Sequence, residues 1–455
     1  MKFKPAIYFM IFLLATASCA LGEEKPSLVL IVSDDTGWND IGFNGSKVHT
    51  PHIDSLARDG VRLDRFYAFP VCSPTRTGLL TGRNPIRVGI TNALKEYQTG
   101  LPLDEHILPQ TLKAYGYQTF MAGKWHQGGP VAREPAAPMP DYPLPDVAHL
   151  PHHRGFDHFY GFVSGSLDPL THIAGEERVY DWQFDGDVMR EQGHTNDLLT
   201  ARSIRFIRER DKARPFFLYL PYHAMHTPHR PSREYYQRQT QFTDPKRREF
   251  AAMVEQMDDN VGRLLKTLDD EGLRENTLVL FISDNGGQYH GGADNMPLNG
   301  EKGTVYEGGI RVPAAIRFPE RIAPGSESGQ VVAVWDLFPT ICDALGVAPK
   351  HTKPLDGISR WPQLTGKAPV VPPASLVFAR RGYAVLDGPW KLLADSDART
   401  TYLFKIDEDP TEQWDYSADY PEQVKRLTTI AETMISQSPN QGLKGPARQK
   451  SDRKR

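Results

Sequence analysis

The feature that most constrains the fold of this sequence is an alternation of short apolar runs with amphipathic segments of helical spacing. The apolar runs read SLVLIV, YQTFMA, FFLYL and LVLFI, and the amphipathic segments include PHIDSLARDGV, HILPQTLKAYG and AAMVEQMDDNVGRLLKTLDDEGL. Strands that alternate with helices form a mostly parallel sheet with helices on both faces. The sequence therefore predicts an α/β fold in which helices sandwich a large, mostly parallel sheet.

A chain of 455 residues is long enough for one large domain with an appendage, or for two domains.

Each apolar run leads directly into polar side chains. These polar residues are, in chain order, Asp34 and Asp35, Lys124 and His126, His223 and His226, and Asp284 and Asn285. Groups that follow the carboxyl ends of parallel strands gather along one edge of an open sheet, where ligands bind. We therefore expect residues far apart in sequence to share one site.

The acidic and amide residues among them suit a metal ion. The stretches LVLIVSDDTGW and LVLFISDNGGQ each give an apolar strand, a serine, an aspartate and a second oxygen donor. Oxygen donors converging from Asp34, Asp35, Asp284 and Asn285 match a hard divalent cation such as Ca²⁺ or Mg²⁺. Each pair taken alone is also what a strand-terminating turn uses. Taken with the basic clusters, the set favours a metal site.

The basic residues indicate the chemistry of a charged substrate. Lys124 and His126 lie two apart and can face the same way on an extended segment, and HAMHTPH supplies imidazoles after another strand. Lys302, in the glycine-rich NGEKGTVYEGG, offers a second ammonium group. Structural histidines and a surface lysine are the alternative reading of each residue alone. Cations, proton carriers and one metal ion around a nucleophile indicate an ester hydrolase for an anionic substrate.

A nucleophile is predicted in the stretch FPVCSPTRTGLLTGRNP. Ser73 is a good N-cap and Pro74 suits the first helical position, so TRTGLL is expected to begin a helix. Cys72 then lies beside free backbone N–H groups at the positive end of the helix dipole. That environment suits an anion or a nucleophile.

Composition and termini predict an exported protein. The net charge of −3 and pI near 6.6 give no reason to expect nucleic acid as a partner. Residues 1–22 have the layout of a secretory signal, and TASC loosely resembles a lipoprotein site that would leave Cys19 as a lipid anchor. Nothing later is apolar for long enough to span a membrane, and the basic residues 441–455 are expected to be a disordered tail. Only Cys72 and Cys342 remain after the signal, too few for a disulfide scaffold.

At this point the sequence resembles the type I sulfatases of the alkaline phosphatase superfamily. The resemblance implies an alkaline-phosphatase-like catalytic domain over residues 24–365 and a smaller C-terminal α+β subdomain over residues 366–440, where LFKIDEDPTEQWD is similar. It runs in order over most of residues 27–345. The motifs that carry it are VSDDTGWNDIGFNG, TPHIDSLARDGVRLDRFYA, CSPTRTGLLTGR, GKWH, RGFDHFYG, PFFLY, VLFISDNGG and GEKGTVYEGGIRVP.

The resemblance also implies a role for each matching residue. Cys72 matches the cysteine that a formylglycine-generating enzyme oxidises to Cα-formylglycine, and Arg76 matches the guanidinium that holds it. One Ca²⁺ ion is implied, with ligands Asp34, Asp35, Asp284, Asn285 and the formylglycine at position 72. Lys124 and Lys302 match sulfate-binding lysines, and His126 and His226 match catalytic histidines. Ser164 is a possible further polar contact. Gln127 and Met225 depart from the family's usual leucine and proline without removing a catalytic group.

These expectations combine into an exported, periplasmic or secreted, calcium-dependent sulfatase acting on a sulfated carbohydrate. The segments YDWQFDG and FARRGY offer aromatic faces for sugar stacking, and Arg380 or Arg381 offers a contact to a second sulfate or a uronate. Packing and surface roles are the alternative for both segments. Rival functions are an arylsulfatase of small substrates, a phosphoester or phosphonate hydrolase on the same scaffold, and a calcium-stabilised glycan-binding protein whose Cys72 stays unoxidised.

Overall fold

A computed structural model describes residues 25–95, 98–131, 146–175, 179–397 and 399–440 of the chain. The predicted signal segment at 1–22, with Cys19, and the predicted basic tail at 441–455 lie outside the described residues. The predicted boundary between catalytic domain and C-terminal subdomain at 365–366 stays a prediction.

The described residues form eighteen strands and eleven α-helices. The strands β1 to β18 are Ser27–Ser33, Val61–Leu63, Phe66–Tyr67, Gln118–Lys124, His158–Phe162, Ile173–Ala174, Val179–Tyr180, Gln183–Phe184, Asp187–Val188, Phe216–Pro221, Thr277–Ser283, Ala314–Arg317, Ser326–Ser328, Val332–Ala333, Leu376–Ala379, Gly382–Asp387, Trp390–Asp395 and Thr400–Lys405. The helices α1 to α11 are Pro51–Arg58, Cys72–Thr81, Pro85–Val88, Leu108–Ala114, Thr195–Glu209, Arg233–Arg238, Pro245–Asp270, Glu307–Ile310, Leu337–Ala344, Trp361–Leu364 and Pro421–Ser436. Short 3₁₀ helices cover Trp38–Asp40, Gly42–Asn44, Val147–His149, Pro151–His153, Tyr289–Gly291 and Val334–Asp336.

Ten strands form one large mixed sheet in the order β13-β2-β12-β11-β1-β10-β4-β5-β8-β9. The five central strands, β11 to β5 in that order, all run parallel. Four of these five are the apolar runs of the sequence. Antiparallel pairs join β12 to β11 and β8 to β5, so the sheet is parallel at its centre and mixed at its edges. The predicted fold class is confirmed.

Both faces of the central strands are buried, which explains why their sequences are continuously apolar. Successive side chains of a strand point to opposite faces. Leu28, Leu30 and Val32 of β1 join the core that holds α2 and α9, whereas Val29 and Ile31 join the core that holds α1, α5 and α7. The sheet therefore divides two helical layers, and the carboxyl ends of its central strands remain at one edge.

The C-terminal subdomain is a four-stranded antiparallel sheet, β15-β16-β17-β18, with α11 against it. Its core is continuous with the core on the α2 side of the large sheet, because the ring of Phe378 lies 5.4 Å from Phe69 and 5.5 Å from Trp335. The smaller subdomain therefore packs directly behind the segment that leads to Cys72.

The start of α2 differs from the prediction. The helix begins at Cys72, with Val71 as its extended N-cap residue, and Ser73 lies inside the first turn. The Ser73 hydroxyl caps no helix. It accepts the N–H of Leu94 at 3.0 Å, because a neighbouring loop competes for it. Cys72 is buried in the first turn of the helix.

Within the part of the chain that the structure describes, no helix has the length and apolar character needed to cross a membrane.

Candidate active site

The ends of β1 and β11 bring two acidic turns together. The backbone N–H of Asp284 donates to Ser33 O at 3.0 Å, and that of Asp35 donates to Asp284 Oδ1 at 3.3 Å. The Asn285 amide donates to Asp35 Oδ1 at 2.8 Å. The four predicted oxygen donors, Asp34, Asp35, Asp284 and Asn285, therefore form one buried cluster.

This cluster fits a divalent cation. Asp34 Oδ1 and Asn285 Oδ1 are buried and accept no hydrogen bond from any described residue. Oxygens of Asp34 and Asp35 also lie within 4.8 Å of a ring nitrogen of His226, a spacing that can hold a metal ion. A buried oxygen without a donor is costly. Two such oxygens among carboxylates match the oxygen ligands of Ca²⁺ or Mg²⁺.

Arg76 joins helix α2 to two strand ends. Its Nε and Nη2 donate to Asp284 Oδ2 at 3.2 and 2.8 Å, and its Nη1 donates to the carbonyl of Lys124 at 2.8 Å. Burial raises the pKa of Asp284 to about 6, with Asp34 adding to the shift and Arg76 opposing it. Arg76 therefore fixes Cys72, four residues earlier, relative to the oxygen cluster.

Two lysines complete the charge of the cluster. Lys124 Nζ lies 2.6 Å from Asp34 Oδ2, and Lys302 Nζ lies 2.6 Å from the Asp35 carboxylate. Burial raises the pKa of Asp35, but Lys302 and His226 outweigh that effect and hold it below its ordinary value. With Arg76, three cations face the three carboxylates of the cluster.

His126 meets Cys72 directly. Its Nδ1 lies 3.2 Å from Cys72 Sγ, and its Nε2 lies 2.8 Å from the carbonyl oxygen of Leu94. A carbonyl oxygen only accepts, so Nε2 carries the proton and Nδ1 presents its lone pair to the thiol. Burial lowers the pKa of His126 well below its ordinary value and raises that of the Cys72 thiol. The pair is therefore a neutral base beside a neutral thiol.

His226 is the imidazole of the HAMHTPH stretch that reaches the cluster. Its Nδ1 faces Thr227 O at 2.8 Å, so Nε2, 3.9 Å from Asp35 Oδ2, holds the lone pair. His223 instead accepts the Leu167 N–H at 3.4 Å through Nε2, and His229 pairs with the Met225 carbonyl at 2.9 Å. Burial, followed by the charge of Lys302, lowers the pKa of His226 to about 3.

Ser164 lies beside the site and outside its charged cluster. It is buried and lines a small cavity with His126. Its hydroxyl donates to Ser166 O at 3.3 Å, and its N–H donates to Asp181 Oδ2 at 2.8 Å. The structure therefore puts Ser164 next to His126 but shows no contact of Ser164 with Lys124, Lys302 or the carboxylates of the oxygen cluster.

The two C-terminal arginines differ in position. Arg380 is partly buried and donates to Gly303 O at 2.6 Å, beside Lys302. No described carboxylate lies within ion-pair distance of it. Arg381 is exposed, with Asp397 at 3.7 Å. Arg380 alone therefore faces the site.

The segment YDWQFDG was predicted to offer aromatic faces for sugar stacking. This prediction is wrong for Trp182. Trp182 is fully buried, with its ring stacked 4.5 Å from His172. Asp181 is also buried and accepts the N–H groups of Val163 and Ser164. This segment supports the wall of the site from behind.

Gln127 is a supporting residue whose role the sequence did not reveal. Its Nε2 donates to Ser73 O at 2.8 Å, and its Oε1 accepts the Thr77 hydroxyl at 2.8 Å. It thereby ties the segment that carries His126 to the helix that carries Cys72. The departure from leucine at this position was the only available signal.

Comparisons with known proteins agree with this site. The Sulfatase family model matches residues 26–347. Arylsulfatase J of Mus musculus is 29% identical over 89% of this chain and 75% of its own length. N-acetylgalactosamine-6-sulfatase of Mus musculus is 34% identical over 75% of this chain, which spans just under two thirds (66%) of that relative.

A solved structure agrees over nearly the whole chain. Ps i-CgsB, solved in complex with k-i-k-neocarrahexaose, superposes with a TM-score of 0.83 at 29% identity and covers 93% of this chain and 96% of its own. This match confirms the alkaline-phosphatase-like fold class. The family model covers well over half of the chain, and its named relatives are sulfatases. The chain therefore belongs to the sulfatase family of sulfuric ester hydrolases.

Proposed function

We propose that this protein is an exported, calcium-dependent sulfatase that hydrolyses a sulfate ester on a carbohydrate through formylglycine made from Cys72. The observation that carries the proposal is the contact of Cys72 with His126 above a buried cluster of three carboxylates and three cations. In the proposed mature enzyme, an oxygen atom would replace the Cys72 sulfur. The signal at 1–22, the alternative lipid anchor at Cys19 and the formylglycine-generating enzyme belong to the same proposal.

Two groups would supply the chemistry that the twenty side chains lack. Hydrated formylglycine, once formed at position 72, would supply two hydroxyls on one carbon: a nucleophile for sulfur and a second oxygen that permits the release of sulfate. A calcium ion held by Asp34, Asp35, Asp284 and Asn285 would favour the anionic form of the attacking oxygen. The orphaned oxygens of Asp34 and Asn285 support this assignment.

His126 is proposed as the base at position 72. Its Nδ1 lone pair points at the side chain of Cys72, and the Leu94 carbonyl holds the opposite nitrogen protonated. A hydroxyl of the hydrate at this place would give its proton to Nδ1. The low pKa of His126 keeps the imidazole neutral, and therefore available as a base, at neutral pH.

His226 is proposed as the acid that protonates the departing alcohol. Burial and Lys302 hold its pKa low when no anion is present. A sulfate ester bound by Lys124 and Lys302 would offset the lysine charges and raise the pKa of His226. His226 would thus become protonated only after the substrate binds, so it would be available as an acid when the sulfate ester is in place.

The charge balance of the site favours two negative charges in the reaction, one on the sulfate ester and one on the nucleophile. The three carboxylates and the cations Arg76, Lys124 and Lys302 cancel one another. One divalent ion adds two positive charges, which the sulfate ester and the ionised nucleophile would neutralise together. In a buried site, such balance is worth far more than in water.

A sulfated carbohydrate is the substrate class that the comparisons favour. The relatives include an N-acetylgalactosamine-6-sulfatase, and Ps i-CgsB was solved with an oligosaccharide. Arg380 adds a cation without a described counter-ion beside the proposed sulfate pocket. We propose that it contacts a second sulfate or a uronate, whereas Arg381 and Ser164 remain weaker proposals for substrate contact.

The test of this function is maturation at Cys72. Coexpression with a formylglycine-generating enzyme should raise sulfatase activity, and the peptide that contains residue 72 should lose about 18 Da relative to the thiol. Cys72→Ser should bind a sulfated oligosaccharide but not turn it over, because serine has no second hydroxyl with which to release sulfate.

The rival functions give different results in the same assay. Full activity in Cys72→Ala would disprove the mechanism. An unmodified residue 72 with intact glycan binding would favour a binding protein, and faster turnover of phosphate or phosphonate monoesters would favour the other hydrolases.

A further inference from the structure

A buried ion network joins the C-terminal subdomain to the catalytic domain. Lys391, on β17, is fully buried, and its Nζ lies 2.9 Å from Glu307 Oε1 and 2.7 Å from Glu412 Oε1. Both carboxylates are also buried. Lys391 and Glu412 belong to the C-terminal part of the chain, whereas Glu307 begins α8.

Glu307 is held through its backbone as well as its side chain. Its N–H donates to Glu412 Oε2 at 2.8 Å, and its Oε2 accepts the Tyr67 hydroxyl at 2.9 Å. Arg311 Nη1 lies 3.6 Å from the same oxygen. Tyr67 ends β3, five residues before Cys72. The network therefore contacts the approach to Cys72 and the start of α8 together.

Glu307 also ends the loop that carries Lys302, and its neighbour Gly308 closes that loop. The N–H of Gly308 donates to Asn299 O across the base of this loop, which the following text calls the Lys302 loop, residues 299–307. Gly300 and Gly303 within it have φ values of 83° and 90°, a region that favours glycine. The N–H of Lys302 donates to Gly287 O at 3.1 Å and that of Gly303 donates to Pro70 O at 2.7 Å, so the fixed end at Glu307 adds to these contacts in holding Lys302 at one place.

The network is not explained by stability alone. Burying a lysine with two glutamates costs desolvation of three charges, and apolar residues of similar volume often stabilise a fold equally well. Compared with an apolar core, an ion network adds a defined geometry, because each carboxylate must lie at hydrogen-bond distance from its partner. Here that geometry fixes the end of the Lys302 loop.

We propose that Lys391 and Glu412 are positioning residues for Lys302: the C-terminal subdomain sets, through Glu307, where that ammonium group meets the sulfate ester. This inference rests on the proposed sulfatase function. It gives the C-terminal subdomain a part in the sulfate-binding step, in addition to any contact with the rest of the substrate.

The test uses Glu412→Gln and Lys391→Met in the mature, calcium-loaded enzyme. Glu412→Gln keeps a carbonyl oxygen for the Glu307 N–H but loses the attraction to Lys391, so it remains informative if Lys391→Met does not fold. We expect either variant to lower kcat/KM by about tenfold, the scale of a small displacement at a reacting group. The loss should be equal for a sulfated oligosaccharide and a small aryl sulfate, because Lys302 contacts the sulfate that both share.

A control and a double variant separate positioning from general destabilisation. Lys353 also bridges two carboxylates, Asp104 and Glu105, at 2.7 and 2.8 Å, but contacts neither the Lys302 loop nor Tyr67. Lys353→Met therefore reports the effect of losing a lysine that bridges two carboxylates away from this loop, at a more exposed place, where the side chain of Lys353 is 32% exposed and that of Asp104 70%. If Lys391 and Glu412 act through Lys302, adding Glu412→Gln to Lys302→Ala should cost less than the product of the two single losses.

The inference would be overturned by independent, multiplicative losses in the double variant, by a loss confined to the oligosaccharide, or by a loss no greater than that of Lys353→Met. If Lys302→Ala itself has no effect on turnover, the proposed role of Lys302 fails, and the positioning inference fails with it. A fall in melting temperature without a change in kcat/KM of the folded fraction would assign the network to stability alone.

Discussion

At the scale of single residues, the site depends on side chains that contact residues far away in sequence. The sequence shows which residues are present but not these contacts. Arg76 is visible as an arginine one turn after Cys72, but its contact with Asp284 joins residues 208 positions apart. His126 was expected on an extended segment beside Lys124. Both reach the site, yet His126 does so with φ of 52°, a left-handed conformation uncommon outside glycine. Such local conformations follow from the surrounding packing, so sequence spacing alone could not predict them.

The oxygen donors of Asp34 and Asn285 give a prediction at the same scale. Asn285→Ala removes a buried oxygen that no described donor satisfies, so it should raise the calcium concentration needed to restore activity after chelation by at least about tenfold. Asn285→Asp keeps an oxygen at that place and serves as the matched control. Activity recovery measured against free calcium distinguishes them. Identical calcium dependence in wild type and both variants would reject Asn285 as a ligand.

At the scale of elements, the four apolar runs were predicted as strands and form four adjacent strands of the central sheet. Their continuous apolar sequence reports burial on both faces, which is why the prediction succeeded. The order of the strands outside these four could not be predicted from the sequence. The antiparallel pairing of β12 with β11 depends on long-range contacts. The start of α2 was missed because the Ser73 hydroxyl accepts from Leu94, which lies 21 residues away in sequence.

The junction of α1 with α7 gives a second prediction. Asp258 of α7 accepts the N–H groups of His52 and Ile53 at 3.2 and 2.7 Å, at the start of α1. Burial raises the pKa of Asp258 to about 8 from an ordinary value of 3.8, against the effect of these two hydrogen bonds. Between these values the folded state retains a proton that the unfolded state has lost. Stability contributed by the neutral acid is therefore lost as pH rises from about 4 to about 8.

Asp258→Asn should remove this dependence, because the amide does not titrate. Its melting temperature relative to wild type should therefore rise steadily between pH 5 and pH 8 in calorimetric or fluorescence melts. Asp270→Asn, at the exposed end of the same helix, controls for the removal of an aspartate from α7. A constant difference between Asp258→Asn and wild type across this range would show that Asp258 does not carry the predicted shift.

At the scale of the whole molecule, function depends on how the smaller subdomain meets the large sheet. The oxygen cluster lies at the carboxyl ends of the central strands, and Arg380, the residue after β15, lies beside the Lys302 loop. The existence of this subdomain followed from the family resemblance. Which of the two adjacent arginines faces the cleft did not, because neighbouring residues at a strand end can point in different directions. The structure resolves this: Arg380 meets Gly303, whereas Arg381 meets Asp397 at the surface.

This arrangement predicts different substrate effects for the two arginines. Arg380→Ala should lower kcat/KM by about tenfold or more on an oligosaccharide with a second sulfate or a uronate, because a charge-assisted hydrogen bond is lost. Arg381→Ala should change it little, since an exposed ion pair contributes little. Arg380 also contacts the Lys302 loop. A small aryl sulfate has no second anion, so the fall in kcat/KM of Arg380→Ala on that substrate measures the effect that acts through the loop. The specificity ratio between oligosaccharide and aryl sulfate is therefore the quantity to compare. An unchanged ratio in Arg380→Ala, together with faster turnover of the aryl sulfate by wild type, would refute the carbohydrate assignment and leave the sulfatase chemistry intact.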